Sequence, residues 1–166
     1  MTREEGFDAP GVRWWGPLAD ESGYANEARI VLRGLRSLGF GTCIEPLSNS
    51  GNAGRVPEYY RKDLEPSFDP SLVTDFLNIF HLPWTSPWPD SFRGPAIWRS
   101  MFETAKLPSV WVERSYSVDE VWVPSLFNAQ TYAAAGIPSE KIVVIPEPVD
   151  FIDFSGAQVA RWSAFL

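Results

Sequence analysis

The sequence contains a single histidine, His81, and its position makes it the first candidate for chemistry. It follows an apolar run over residues 74–80, which is typical of a buried parallel strand. An imidazole at the end of such a strand could donate a hydrogen bond to a substrate or stabilise charge at a reacting centre. It could also do no more than close the strand end by hydrogen bonding. Both interpretations stay open at this point.

A loop with a glycine at each end is the second candidate, because glycine allows a ligand to approach the backbone closely. It runs from Gly16 to Gly23, and Ser22 and Tyr24 are the polar residues at its end. The helix predicted to follow would present its N-terminus to an anion, so a phosphate or a sugar could bind here. The spacing is too long for the dinucleotide fingerprint G-x-G-x-x-G, and a plain turn is the alternative.

Aromatic and acidic residues supply further candidates. Trp84 and Trp88 lie in a proline-rich loop after His81 and could stack on a sugar ring, although packing in the core or in an interface would also explain them. Glu103 and Glu113 lie in aromatic surroundings. A pair of carboxylates can act as acid and base in glycoside hydrolysis, but nothing in the sequence fixes the separation of these two.

The hydrophobic pattern predicts strands that alternate with helices. Strands are expected at residues 11–18, 41–47, 74–80, 120–123 and 141–145, and helices at residues 24–38 and 126–135. Residues 96–103 are compatible with either a strand or a helix, and a short helix could begin within residues 108–114. Residues 59–69 show no clear period and receive no assignment.

This alternation predicts an α/β fold, a Rossmann-like three-layer domain with a mainly parallel sheet. In such sheets ligands bind beyond the carboxyl ends of the strands. The loop after Gly16, the loop after His81, the turn at Ser125 and the turn at residues 146–150 would then share one edge. Ser125, which follows Pro124, is also placed to cap the helix after it.

Composition excludes several classes of function. Acidic residues outnumber basic ones by 21 to 14, giving a formal net charge of -7, which argues against nucleic acid as a partner. No apolar stretch approaches the ~18 residues of a transmembrane helix, and the polar N-terminus does not resemble a secretory signal, so cytoplasmic residence is expected. A single cysteine excludes an internal disulfide, no metal-ligand spacing is present, and no cofactor is expected.

Several groups of residues, taken in order, carry a family resemblance. They are residues 16–24, residues 101–111 with Met101, Glu103 and Trp111, residues 118–128 with Ser125 and Asn128, and residues 135–150 with the run Pro146-Glu147-Pro148-Val149-Asp150. Their order and spacing resemble the N-terminal domain of the retaining "group one" glycosyltransferases, which consist of two Rossmann-like domains (the GT-B fold). The resemblance extends over roughly residues 12–150.

The resemblance implies a function. The chain would be the acceptor-side half of an enzyme that transfers a sugar from a nucleotide-sugar donor to a sugar or glycan acceptor, without a metal, through an oxocarbenium-like state. The resemblance makes His81 the catalytic residue, and the residues implied to contact substrate are Gly16, Ser22, Gly23, Tyr24, Trp84, Glu103 and Ser125. In that family a second domain, which carries most of the nucleotide-sugar site, follows the turn that corresponds to residues 146–150.

We therefore expect residues 1–150 to form the glycosyltransferase N-terminal domain and residues 151–166 a truncated interdomain linker or tail. The isolated chain is not expected to catalyse transfer, because the donor-binding domain is absent, and a donor-domain partner chain is one way to complete the enzyme. The tail is apolar, with Val159, Trp162 and Leu166 at helical spacing, and is expected to dock back on the domain or to mediate self-association.

Other classes of function remain compatible with the sequence. A non-catalytic sugar-binding or interaction module, or a subunit of a split glycosyltransferase, would carry the same motifs. A small Rossmann-like dehydrogenase or methyltransferase would need a cofactor fingerprint that the sequence lacks. The sequence identifies neither the donor sugar nor the acceptor.

Overall fold

A computed structural model describes residues 11–18, 22–46, 76–82 and 92–149 of the chain. Some sequence predictions lie outside these ranges and stay predictions. They concern the stacking role of Trp84 and Trp88, the unassigned residues 59–69 and the docking of the tail at residues 151–166.

The described residues form one sheet with helices on both of its faces. The strands are β1 (Gly11–Gly16), β2 (Gly41–Pro46), β3 (Phe76–His81), β4 (Ala96–Arg99), β5 (Glu120–Val123) and β6 (Ile142–Val144). The helices are α1 (Gly23–Ser37), α2 (Ser109–Ser115) and α3 (Leu126–Ala134), and a short 3-10 helix covers Ser139–Lys141. None of these helices combines the length and the hydrophobicity needed to cross a membrane.

Neighbouring strands of the sheet all run parallel, in the order β2-β1-β3-β4-β5-β6. Parallel strands need crossover connections, and α1 between β1 and β2, like α3 between β5 and β6, lies in such a connection. The predicted α/β fold, a parallel sheet between helices in a Rossmann-like three-layer arrangement, is therefore confirmed.

The core has two parts because successive side chains of a strand point to opposite faces of the sheet. On one face, Trp14 of β1 packs with Leu32 of α1, and both are buried. On the other face, the ring of Trp98 lies 5.5 Å from that of Trp111 in α2 and 5.8 Å from that of Tyr132 in α3. Burial of each such side chain stabilises the fold by about 1.5–3 kcal/mol.

Glycines follow the two longer helices. Gly39 after α1 has a φ of 87°, and Gly136 after α3 has a φ of 109°. Residues other than glycine are disfavoured in this region of φ. The ambiguous residues 96–103 resolve into β4 (Ala96–Arg99) and an irregular segment that leads towards α2. The short helix expected within residues 108–114 is α2, which begins at Ser109.

The carboxyl ends of the strands place polar residues side by side. His81, the last residue of β3, pairs in register with Arg99, the last residue of β4. Ile79 and Ile97, two positions earlier in the same strands, pack on the α1 side of the sheet. Because alternate residues of a strand point to the same face, the side chains of His81 and Arg99 also point towards α1. His81 thus lies on the predicted edge of the sheet, together with Gly16 at the end of β1 and Ser125 just after β5.

Candidate functional site

Three side chains from α1, β3 and β4 meet at this edge and form what we call the Glu27 cluster: Glu27, His81 and Arg99. Oε2 of Glu27 lies 2.9 Å from Nε2 of His81. Oε1 of Glu27 accepts a hydrogen bond from Nε of Arg99 at 2.5 Å, and a second from Nη2 of the same guanidinium. The remaining nitrogen, Nη1, donates to the carbonyl oxygen of Ile145 at 3.2 Å, which ties the cluster to the segment after β6.

All members of the Glu27 cluster are buried, with relative exposures of 7% for Glu27, 1% for His81 and 3% for Arg99. Burial of a charge is costly unless an opposite charge and hydrogen bonds compensate it. Here the carboxylate and the guanidinium compensate each other directly. The cluster therefore carries no net charge as long as the imidazole is neutral.

Burial and the two charges set the protonation states. Burial lowers the pKa of His81, and Arg99 adds to this effect, while the Glu27 carboxylate opposes it. Burial alone would raise the pKa of Glu27, but the hydrogen bond from His81 and the charge of Arg99 outweigh it and hold that pKa below its usual range. At neutral pH we therefore infer an ionised Glu27 and a neutral His81 whose Nε2 carries the proton, which leaves Nδ1 as a hydrogen-bond acceptor.

Two aromatic rings cover the imidazole. Trp14 meets it edge-on with ring centroids 5.1 Å apart, and the ring of Tyr24 lies 4.9 Å from it. The Tyr24 hydroxyl accepts a hydrogen bond from the Met101 backbone at 3.4 Å and lies 3.5 Å from the Ser100 hydroxyl. Burial raises the pKa of Tyr24, so this hydroxyl stays protonated at neutral pH. These rings leave His81 only 1% exposed, although it still lines the narrow cleft at this edge of the sheet.

A narrow cleft lies over the Glu27 cluster. The described residues that line it are Tyr24, Glu27, His81, Arg99, Ser100, Met101, Pro124 and Glu147. In this conformation the cleft is too narrow to hold a water molecule, so a ligand can enter only if a lining side chain moves. Glu147 is exposed, and partial burial together with the charge of Glu27 raises its pKa, while Arg99 opposes this shift. Glu147 and the flexible side chain of Met101 are the groups best placed to move.

Some of the predicted substrate contacts have structural roles. A side chain at Gly16 would clash with the carbonyl oxygen of His81, so the close approach of β3 explains this glycine. Ser22 caps α1, its hydroxyl accepting from a backbone N–H of the first turn at 3.1 Å. Ser125 caps α3 in the same way, accepting from the backbone of Asn128 at 3.2 Å. These contacts explain all three residues without a ligand, and their role in substrate binding stays a prediction.

The other predicted contacts lie at different distances from the cluster. Tyr24 lines the cleft and covers His81. Gly23 begins α1, where an added Cβ would meet nothing within 4 Å, and Glu103 is exposed in the segment after β4. Neither Gly23 nor Glu103 is among the described residues that line the cleft. Trp84 lies outside the described residues.

Sequence reasoning missed two members of the cluster, Glu27 and Arg99. Glu27 is a charged residue next to Ala28 on the apolar side of α1, and both are buried, which is a signal that the helical period already contains. Arg99 ends the apolar strand β4 just as His81 ends β3. Only the register between these strands shows that the two side chains are neighbours.

Other residues of the resembling segments hold the fold together. The Asp119 carboxylate accepts a hydrogen bond from the backbone of Ala96 at 2.8 Å, which fixes the start of β4. The Asn128 amide donates to the carbonyl oxygen of Phe102 at 2.6 Å and ties the start of α3 to the segment after β4. Asp119 and Asn128 therefore have structural roles, so the fold accounts for part of the pattern that resembles the family.

A groove lies between α2 and α3, on the side of the sheet away from α1. It has a volume of about 540 Å³ and a largely apolar lining that includes Leu107, Val112 and Tyr116. It shares no described lining residue with the cleft over the Glu27 cluster.

Comparison with known proteins gives no relative for this chain: no family model matches it, and no curated protein or solved structure shows significant similarity. Among the described residues, no group of three or more His, Cys, Asp or Glu side chains is arranged to hold a metal ion.

Proposed function

We propose that this chain supplies the acceptor-binding half of a glycosyltransferase, with the acceptor bound in the cleft over the Glu27 cluster. One observation carries the proposal: the segments that resemble the family, far apart in sequence, converge on this cleft. Each contributes one lining residue or more, and these residues include Tyr24, Met101, Pro124 and Glu147. They surround His81, the residue to which the resemblance assigns the catalytic role.

The location of the cleft supports the proposal. It lies beyond the carboxyl ends of parallel strands, where ligands bind in sheets of this type. Its lining offers the hydroxyls of Tyr24 and Ser100 and the carboxylate of Glu147, groups that hydrogen-bond sugar hydroxyls. The fold alone does not define a function, and these groups, rather than the Rossmann-like arrangement, support the binding of a sugar.

The donor substrate needs groups that the described part of the cleft does not supply. A nucleotide sugar carries a diphosphate, which requires cations or free backbone N–H groups. Of the described residues that line the cleft, Arg99 is the only cation, and its charge is compensated by Glu27. The proposal therefore includes a second, donor-binding domain, and the chain by itself does not catalyse transfer, because both substrates must be held together.

Glycan binding and sugar transfer test the proposal separately. The purified chain is applied to a glycan array, and its turnover of nucleotide sugars is measured with and without a candidate donor-binding domain. We expect a glycan to bind the chain alone, the Glu147→Ala variant to bind it more weakly, and transfer to require both domains. Absence of glycan binding would contradict the acceptor site, and sustained transfer by the chain alone would contradict its role as half of an enzyme.

A non-catalytic interaction module is the second candidate function. The groove between α2 and α3 favours an interaction module, because this groove is larger than the cleft and its lining is largely apolar. Val112 lines this groove and does not line the cleft. If Val112→Ser removes the binding activity of the chain while Glu147→Ala has no effect, the interaction module is the better description.

A further inference from the structure

We propose that the cleft beside His81 takes an uncharged, hydroxyl-rich ligand and rejects anionic ones. This inference rests on the proposed function and specifies the class of acceptor: a neutral sugar rather than a uronic acid or a sugar phosphate. The hydrogen-bonding capacity that the lining residues have left, once their contacts with each other are made, supports this class of ligand.

The guanidinium of Arg99 has little capacity left for an anion. All three of its nitrogens are engaged, Nε and Nη2 with Glu27 and Nη1 with the carbonyl oxygen of Ile145. A carboxylate or a phosphate usually binds arginine through two parallel N–H bonds, and here Glu27 already occupies that face. An anionic ligand would have to displace a buried carboxylate to gain the same contact.

The acceptor atoms of the cleft point to a ligand that donates hydrogen bonds. Nδ1 of His81 is buried and has no hydrogen-bond partner among the described residues, while Nε2 is held by Glu27. A buried acceptor without a partner is unfavourable, and a hydroxyl that donates to it would relieve that cost. The carboxylate of Glu147, on the exposed side of the cleft, is a second acceptor and repels a negative charge.

The hydroxyl groups of the cleft complete the match to a sugar. Tyr24 and Ser100 place their hydroxyl oxygens 3.5 Å apart, and such groups both donate and accept. A sugar hydroxyl can therefore donate to Glu147 or His81 and accept from Ser100 in the same site. A ligand with several neutral hydroxyls uses all of these groups, whereas an anionic ligand meets the Glu147 carboxylate, which forms no ion pair with the described residues.

The single histidine allows a direct test, because labelling of imidazole nitrogens gives one pair of NMR signals for the whole chain. The full chain is titrated at pH 7 with methyl glucoside, methyl mannoside and methyl galactoside, and in parallel with glucuronate and glucose 6-phosphate. We expect Nε2 to carry the proton in the free protein, and the Nδ1 signal to shift with at least one neutral sugar. Neutral sugars should bind about fivefold more tightly than anionic ones, the factor for ~1 kcal/mol of repulsion between charges 4 Å apart in water.

Two variants separate charge from shape. Glu147→Gln should bring glucuronate affinity close to that of the neutral glucoside, whereas Glu140→Gln, at the opposite edge of the sheet, should change nothing. Equal or tighter binding of the anionic sugars, a proton on Nδ1 in the free protein, or no shift with any sugar overturns the inference. Tighter binding of anionic sugars would leave the acceptor site in place and change only its class, while the transfer assay decides independently whether the chain belongs to a glycosyltransferase.

Discussion

Glu27 and His81 lie 54 positions apart in the sequence, yet Oε2 of one is 2.9 Å from Nε2 of the other, and both side chains are buried. This contact joins the start of α1 to the carboxyl end of β3. Because Arg99 shares the same carboxylate, the contact also fixes the end of β4. The position of the only histidine therefore depends on a glutamate whose importance is not evident from any motif.

The first prediction concerns the charge of Glu27. Glu27→Gln leaves the buried guanidinium of Arg99 without a compensating charge, so the free energy of unfolding should fall by about 3–5 kcal/mol. Glu140→Gln is the matched control, because Glu140 is exposed in the 3-10 helix and its replacement should change stability by less than about 0.5 kcal/mol. Urea unfolding at pH 7 measures both, and equal effects of the two substitutions would contradict the role assigned to the cluster.

The sequence predicts the helices and strands well but not the contacts between them. The apolar period of α1 and the apolar run of β3 are each readable within a single segment, because burial of one face sets the period of the helix and burial on both faces of the sheet sets the run in the strand. The pairing of His81 with Arg99 depends on which strands are neighbours and in which register, and no local pattern encodes that. The same limit applies to Gly16, because no local pattern shows that the backbone of β3 approaches this glycine.

The second prediction concerns pH. Burial lowers the pKa of His81 below its ordinary 6.5, with Glu27, Arg99 and Tyr24 around the ring, so the unfolded chain takes up a proton first as the pH falls. The stability contributed by the neutral imidazole is thus present above about pH 6.5 and decreases below it, by at most about 1.4 kcal/mol per pH unit. Glu27, whose pKa is lowered, adds a further loss below its ordinary 4.5.

Unfolding measured from pH 7.5 to pH 5 checks this, with His81→Gln as the comparison. The variant should lose the slope near pH 6.5, since the chain has no other histidine. Glu147 acts in the opposite sense, because its raised pKa favours proton uptake by the folded state just above its ordinary 4.5, but its exposure keeps the effect small. Wild-type stability that rises as the pH falls from 7 to 5.5 would show that the folded protein holds a protonated imidazole.

The third prediction compares two glycines. In Gly16→Ala the new methyl group clashes with the backbone carbonyl of His81, which cannot move without shifting β3, so the free energy of unfolding should fall by about 1–3 kcal/mol or more. Gly34 lies within α1, and an added Cβ there meets nothing within 4 Å, so Gly34→Ala should stabilise the protein by about 0.4–1 kcal/mol. Opposite shifts of the melting temperature are the expected result, and a neutral Gly16→Ala would mean that the two strands are further apart.

The last prediction separates the two roles proposed for Ser125. Its hydroxyl accepts from the Asn128 backbone at 3.2 Å and donates to Oδ1 of Asn128 at 3.0 Å, which caps α3. Ser125→Ala removes both bonds and should cost about 0.5–2 kcal/mol of stability, while Ser125→Thr keeps the hydroxyl and should cost less. Glycan affinity tests whether the Ser125 hydroxyl also contacts substrate. If Ser125 only caps the helix, both variants leave the affinity of the folded protein unchanged. If Ser125→Ala weakens glycan binding at a temperature where the protein is fully folded, and Ser125→Thr restores it, the hydroxyl contacts substrate as the resemblance implies.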